Sequence, residues 1–188
     1  MQVQISAVII TMNEERNIGR CLDSLVGVAD EIIVVDSGST DATEQICKSK
    51  GAAFVFHAFE GHIQQKNYAA SLANFPMVLS LDADEALTPE LASSINSVKV
   101  NMQADAYSMN RLTNYCGKWI RHCGWYPDTK IRLWRKGVAT WGGVNPHDHI
   151  ILEEGALLNS LKGDLLHYSF YTIADHVNTA NKFSEIAS

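Results

Sequence analysis

The chain predicts an α/β fold, with a mostly parallel sheet flanked by helices and then a smaller mixed part. Three observations carry that prediction. Apolar, β-branched runs alternate with helical apolar stripes over the first hundred residues, the pattern of a parallel sheet covered on both faces. Polar clusters follow three of those runs, where the carboxyl ends of the strands would surface. Beyond about residue 100 the texture changes to short strands between Gly and Pro turns, and all four tryptophans lie there.

Each element has its own signal. Val3 to Thr11 is an apolar run long enough for a strand buried on both faces. Asn13 reads as a helix N-cap, with Glu14 and Glu15 suited to the first turn against the helix dipole. Ile18, Cys21, Leu22, Leu25 and Val26 then form one helical stripe. Glu31 to Val35 is a second strand, and Asp41-Ala42-Thr43-Glu44 reads as a capping box opening a second helix. Gly51 ends that helix, and Ala52 to Phe56 is a third strand. Gln64 to Asn74 is expected to be helical, with Ala69, Leu72 and Ala73 inward. Met77 to Leu81 is a fourth strand. Thr88-Pro89 caps a helix whose stripe is Leu91, Ile95 and Val98. Short strands are expected at Ala106 to Leu112, Thr129 to Trp134, Ala139 to Val144 and Leu165 to Tyr168. An amphipathic helix from Ile173 to Ser188 follows, running out with no stop signal.

At 188 residues a single domain is expected, residues 1–100 forming one half and 101–188 a second half cut short at its C-terminus. The formal net charge of −6 argues against nucleic acid as the main partner. Cys21 and Cys47 sit on apolar helical faces, and Cys116 and Cys123 form no CxxC, so reduced thiols in the cytosol are expected. No n-region or cleavage site opens the chain, and no apolar run reaches the roughly 18 residues of a spanning helix.

The most informative residues are Asp82-Ala83-Asp84, directly after the apolar run Met77 to Leu81. Carboxylates leaving a buried strand need compensation, and a hard divalent cation is the usual source. Thr11-Met12-Asn13-Glu14 and Asp36 to Asp41 follow two other strands and would reach the same rim. Neither G-x-G-x-x-G nor G-x-x-x-x-G-K-[ST] occurs, so a nucleotide here would be gripped by carboxylates at base and ribose and by a metal at its diphosphate.

Val8 to Glu15 (VIITMNEE), Ile33 to Asp41 (IVVDSGSTD) and Leu79 to Glu85 (LSLDADE) together resemble the signature of family-2 glycosyltransferases. Lys130 to Gly137 (KIRLWRKG) and Trp141-Gly142-Gly143 resemble the subgroup that builds lipopolysaccharide cores and related surface glycans. The resemblance implies a GT-A fold, Rossmann-like, and an inverting transfer from a nucleotide-diphosphate sugar, a UDP-sugar above all, to a glycan or lipid-linked acceptor. It implies that Thr11, Asn13 and Glu14 line the nucleotide pocket, that Asp36 contacts the base, and that Asp82 lies near the ribose. Mg²⁺ or Mn²⁺ would sit on Asp84, with Asp82 as the second member of the metal pair. Lys66, in Gln65-Lys66-Asn67, would reach the nucleotide, or is a solvated helix lysine. The implied setting is cytoplasmic, at the inner face of the cell membrane if association there is peripheral.

Inversion needs a general base opposite the leaving diphosphate. Asp148, in Pro146-His147-Asp148-His149, is the candidate, although relatives of the resembled family carry His-Glu in such a spot. Its plain alternative is a loop carboxylate paired with a neighbouring histidine. His167 faces metal or phosphate, or packs in the core. Arg132 and Arg135 share a strand's polar face, where exposure to solvent is the default. Trp119, Trp125 or Trp141 would line an acceptor cleft, whereas Trp134 belongs to the core. A non-catalytic sugar-nucleotide-binding domain is the alternative: the intact Asp82/Asp84 pair counts against it, and the open identity of the base keeps it in play. A nucleotidyltransferase ranks lower, since it should carry a glycine-rich loop after the first strand, and a His-Asp-His metallohydrolase lacks further ligands.

Overall fold

The computed structural model describes residues 2–144 and 147–187. In chain order the first half runs β1 (Ile5–Thr11), α1 (Ile18–Ser24), β2 (Glu31–Asp36), α2 (Thr43–Ser49), β3 (Ala53–Phe56), α3 (His62–Ser71) and β4 (Met77–Asp82). β5 (Glu85–Leu87) and α4 (Pro89–Val100) follow. The second half holds β6 (Ala106–Tyr115), β7 (Lys118–Trp119), β8 (Asp128–Arg135), β9 (Ala139–Val144), β10 (His147–Leu152), β11 (Leu158–Phe170) and α5 (Ile173–Ala187).

The main sheet has the order β3-β2-β1-β4-β8-β6-β11-β5, with β7 added to β6; β9 and β10 form a separate hairpin. The first four strands in that order are parallel, as their continuous apolar runs predict. β8 then runs antiparallel to both β4 and β6. Alternate residues of β1 feed two cores. Ile5, Ala7 and Ile9 pack with Ile18, Leu22, Leu25, Leu91 and Ile95 on one face. Val8 packs with Ala69, Ala73, Trp134 and Trp141 on the other. Among the described residues no helix is long and apolar enough to cross a membrane.

Several local expectations hold. Thr88 caps α4 by accepting from Leu91 N at 3.3 Å, and Leu91, Ile95 and Val98 are buried. Cys21 and Cys47 are buried, Cys116 and Cys123 are exposed, and all four are free. Others need correction. Asn13 is not an N-cap: it lies in the left-handed region at φ 54°, and α1 starts only at Ile18. Because α1 stops at Ser24, Val26 falls beyond the stripe and is 78% exposed. The capping box opens differently, since Asp41 Oδ1 accepts from Thr43 N while Glu44 pairs with Lys48 instead of reaching back. The last strand is far longer than Leu165 to Tyr168, and β5, β7 and β10 are additions.

Candidate active site

Strand register places the polar clusters on one rim. Thr11 pairs with Asp36 across β1–β2, and Ile10 pairs with Asp82 across β1–β4. The two loops leaving β1 and β2 brace each other. Asn13 N donates to Ser39 Oγ at 2.7 Å, and Thr40 N donates to Asn13 Oδ1 at 2.8 Å. Glu14 N donates to Thr43 Oγ1 at 2.8 Å, and Ala42 N to Glu15 Oε2 at 3.0 Å. The left-handed turn at Asn13 lets both its backbone and its side chain meet the second loop.

Asp36 is buried and serves its own loop. Its Oδ1 accepts from Gly38 N and Ser39 N, both at 2.8 Å, and its Oδ2 accepts from the Ser39 hydroxyl. Gln65 joins this loop to α3 by donating to Ser37 Oγ at 3.0 Å. Thr11 Oγ1 is buried without a partner among the described residues. The Glu14 carboxyl accepts from Asn17 Nδ2 at 2.8 Å. Burial pushes its pKa from 4.5 to about 7; the Asn17 bond opposes this, and the charges of Asp84, Asp41 and Asp82 add to it.

The two aspartates after β4 go to different partners. Asp82 lies between cations: Lys66 Nζ is 3.0 Å from Oδ1 and the Arg132 guanidinium 3.0 Å from Oδ2. Burial resists its ionisation, but Lys66 and Arg132 outweigh that and hold the carboxyl well below the usual range. Arg132 also donates to Glu85 Oε1 at 2.7 Å, and Glu85 Oε2 accepts from Asp82 N at 3.0 Å, closing the turn on itself. Arg111 stands 3.6 Å from Glu85 and 2.7 Å from Asp128. Arg132, expected to face solvent, is thus corrected: it is 3% exposed, whereas Arg135 is the outward one.

Asp84 instead faces His167, whose Nε2 is 3.2 Å from Oδ2. Strand pairing sets this contact, because His167 lies opposite Glu85 across β5–β11 and Tyr168 N donates to Asp84 O at 2.9 Å. Burial pushes the imidazole pKa down, but the Asp84 carboxylate and, less strongly, Glu85 pull it up, and the net shift is upward.

Asp148 enters from β10. Its Oδ2 is 2.7 Å from Lys66 Nζ, and the same ammonium stands 4.3 Å over the Trp141 ring. Trp141 is buried edge-on against Trp134, which is core as expected; Trp119 is 38% exposed. Trp141 Nε1 and Arg132 Nε, like Thr11 Oγ1, lack partners among the described residues. These residues line one cavity of ≈ 930 Å³, together with Glu14, Asp82, Asp84, Asp148 and His167. Buried polar atoms without partners concentrated around one cavity are what a polar ligand would satisfy. The His147 side chain lies outside the described residues. The roles of Glu85, Asn67 and Arg111 go unread in the sequence, because their partners Arg132, Trp141 and Asp128 are distant in it.

The donor set also fits a divalent cation. Asp84, in the turn between β4 and β5, and His167, on β11, offer a carboxylate oxygen and an imidazole nitrogen 3.2 Å apart. Among the described residues no three His, Cys, Asp or Glu groups converge, so an ion there would complete its shell from ligand oxygens and water.

Comparisons with known proteins identify the family and the fold. The family model described as Glycosyl transferase family 2 matches residues 6–141. The chain is 34% identical over 191 residues to an uncharacterized glycosyltransferase of Rickettsia typhi, covering 96% of this chain and 65% of that protein. It is 28% identical over 196 residues to the lipopolysaccharide core biosynthesis glycosyltransferase LpsC of Rhizobium meliloti, covering 98% and 70%. Among solved structures, S. aureus TarS residues 1–349 in complex with UDP superposes with a TM-score of 0.62 at 15% identity, over 97% of this chain and 65% of that one. The chain thus spans about two thirds of the length of these proteins.

Proposed function

Since the chain belongs to glycosyl transferase family 2 and has the GT-A fold, we propose that it moves a sugar, with inversion, from a nucleotide-diphosphate donor to a hydroxyl acceptor. The donor class is a UDP-sugar, and the acceptor a glycan or lipid-linked glycan of the cell surface, as the likeness to LpsC supports. The observation that carries this is a single cavity lined both by the strand-end carboxylates and by Asp148, with Lys66 touching both sides.

In this reading Thr11 and Glu14 on the cavity wall, with Asn13 and Asp36 behind them in the braced loops, form the nucleotide end, and Asp82 keeps its cations near the ribose. Mg²⁺ or Mn²⁺ held by Asp84 and His167 would supply charge to the departing diphosphate. Lys66 and Arg132 place positive charge beside it. Asp148 takes the proton of the acceptor hydroxyl as that oxygen attacks the anomeric carbon and the bond to the diphosphate breaks. The Lys66 ammonium holds the Asp148 carboxylate at 2.7 Å, so an incoming diphosphate that draws Lys66 away also frees Asp148 for the acceptor hydroxyl. The work is done in the cytoplasm, beside the membrane that holds the acceptor.

Calorimetry with UDP, GDP and dTDP, each with and without Mn²⁺, tests the donor side. Binding of UDP that Mn²⁺ strengthens is expected, and no Mn²⁺-enhanced binding to any of the three refutes it. Asp148→Asn should spare that binding and abolish transfer; transfer that survives removes the base assignment.

A further inference from the structure

Asp148 sits on a hairpin whose ladder does not join the main sheet. Something other than strand pairing must therefore fix its carboxylate relative to the aspartates after β4. Two consecutive residues of α3 do so. Asn67 Nδ2 donates to Trp141 O at 2.9 Å, while Trp141 N donates to Asn67 Oδ1 at 2.9 Å. One side-chain amide thereby makes the two bonds a neighbouring strand would make. Lys66, the residue before it, holds Asp148 itself at 2.7 Å.

The register carries this grip across the hairpin. Trp141 pairs with Ile150, and Gly143 with Asp148. The Trp141 ring packs edge-on against Trp134 of β8, so β9 cannot slide without disturbing the core. Between them Gly142 is tight: a Cβ there would lie 2.4 Å from Ile151 Cδ1, so the two strands are already in close contact. A shift of β9 is therefore passed on to β10 and to Asp148.

We propose that Asn67 is a positioning residue for transfer, setting through Trp141 the place of the hairpin and hence of the Asp148 carboxylate. The role rests on Asp148 acting as the base. The Asn67 amide bonds Trp141 through both its oxygen and its nitrogen, so its loss acts on chemistry and leaves donor binding alone.

Asn67→Leu keeps the side-chain size and removes both bonds. It should lower UDP release to water, from the UDP-sugar that the wild type turns over fastest, on the order of 100-fold, the cost of a displacement near 1 Å. Calorimetric affinity for UDP with Mn²⁺ should stay within about twofold. Hydrogen exchange in residues 139–144 and 147–152 should accelerate, while the β1 to β4 strands keep their protection. Asn67→Asp retains the acceptor for Trp141 N and loses the donor, and should fall between; it also serves if the leucine variant does not fold. Wild-type release in either folded variant overturns the proposal, as does a parallel loss of UDP affinity. Asp148→Asn separates the two ideas. If it is inactive while Asn67→Leu is fully active, the positioning role fails and the base stands. If it is active while Asn67→Leu is not, the base assignment fails, and with it the proposal that Asn67 acts by placing Asp148.

Discussion

Replacing Arg132 by methionine tests the charge arrangement under the cavity. Methionine keeps much of the length and apolar volume but removes the guanidinium, which is 3% exposed and bonds Glu85 at 2.7 Å and Asp82 at 3.0 Å. Glu85 has a fully buried side chain and would be left with Arg111 alone, at 3.6 Å. Asp82 would keep Lys66 at 3.0 Å. Removing one partner of a buried pair costs about 3–5 kcal/mol, because the remaining charge is stranded. The two residual cations place Arg132→Met at the low end, about 3 kcal/mol. For a domain of this size that corresponds to a Tm lower by roughly 6–12 °C.

The assay is urea unfolding of the wild type, Arg132→Met, Glu85→Gln and the double variant. If the pair is the source of the loss, the single effects are not additive, and the cycle returns a coupling of about 2 kcal/mol. An Arg132→Met loss below about 0.5 kcal/mol refutes the reasoning, as would a cycle that closes additively within about 0.3 kcal/mol. Either result would mean that the guanidinium is solvated in solution and the buried network does not hold the turn after β4.

Glu14 titrates at about 7 in the fold against an ordinary 4.5, so the folded state binds the proton more tightly and the group's contribution is full below about 4.5 and lost as pH rises through 7. Stability should fall over that interval by at most about 3 kcal/mol, less after screening of its exposed part; denaturation at pH 5 and pH 8 should show the slope flattened in Glu14→Gln. Gly163 has φ +91° and an added Cβ would meet Leu91 N at 2.3 Å, so Gly163→Ala should cost about 2–3 kcal/mol or more and loosen α4 from β11, visible as faster exchange in both. Chelation of the metal should weaken UDP binding in the wild type. That Mn²⁺ increment should vanish in Asp84→Asn and His167→Ala but survive in part in Asp82→Asn; an equal loss in all three would place the ion on both aspartates.

Why some of this was legible follows from what a single strand or helix can report. The parallel order of β1, β2 and β4 shows in unbroken apolar runs because both faces are covered, and α4 shows in Thr88-Pro89 because its cap is made locally. β10 does not show: it opens on His147-Asp148-His149, polar because it borders the cavity. Arg132 illustrates the same limit. Its alternation with Ile131 and Leu133 marks a polar face, and alternation cannot distinguish water from a polar cavity. β5, at three residues, is too short for any periodic signal, yet it is the strand that brings His167 to Asp84.

The aspartates after β4 show what long-range charge adds. Their spacing demands compensation, and a metal is the answer a local motif offers. The fold supplies another for one of them. Asp148, Lys66, Asp82, Arg132, Glu85, Arg111 and Asp128 form a chain of alternating sign. Its links join residues 82 and 50 positions apart, contributed by β10, α3, β4 and β8 in turn. Asp82 is neutralised inside that chain, and in the proposed reading a divalent ion falls to Asp84, which lies outside it against His167. The same chain ends on Asp148, so any anion that draws Lys66 toward the donor end changes the charge felt by the carboxylate at the acceptor end. In the proposed reading, donor binding and the release of Asp148 are thereby coupled through one buried ammonium.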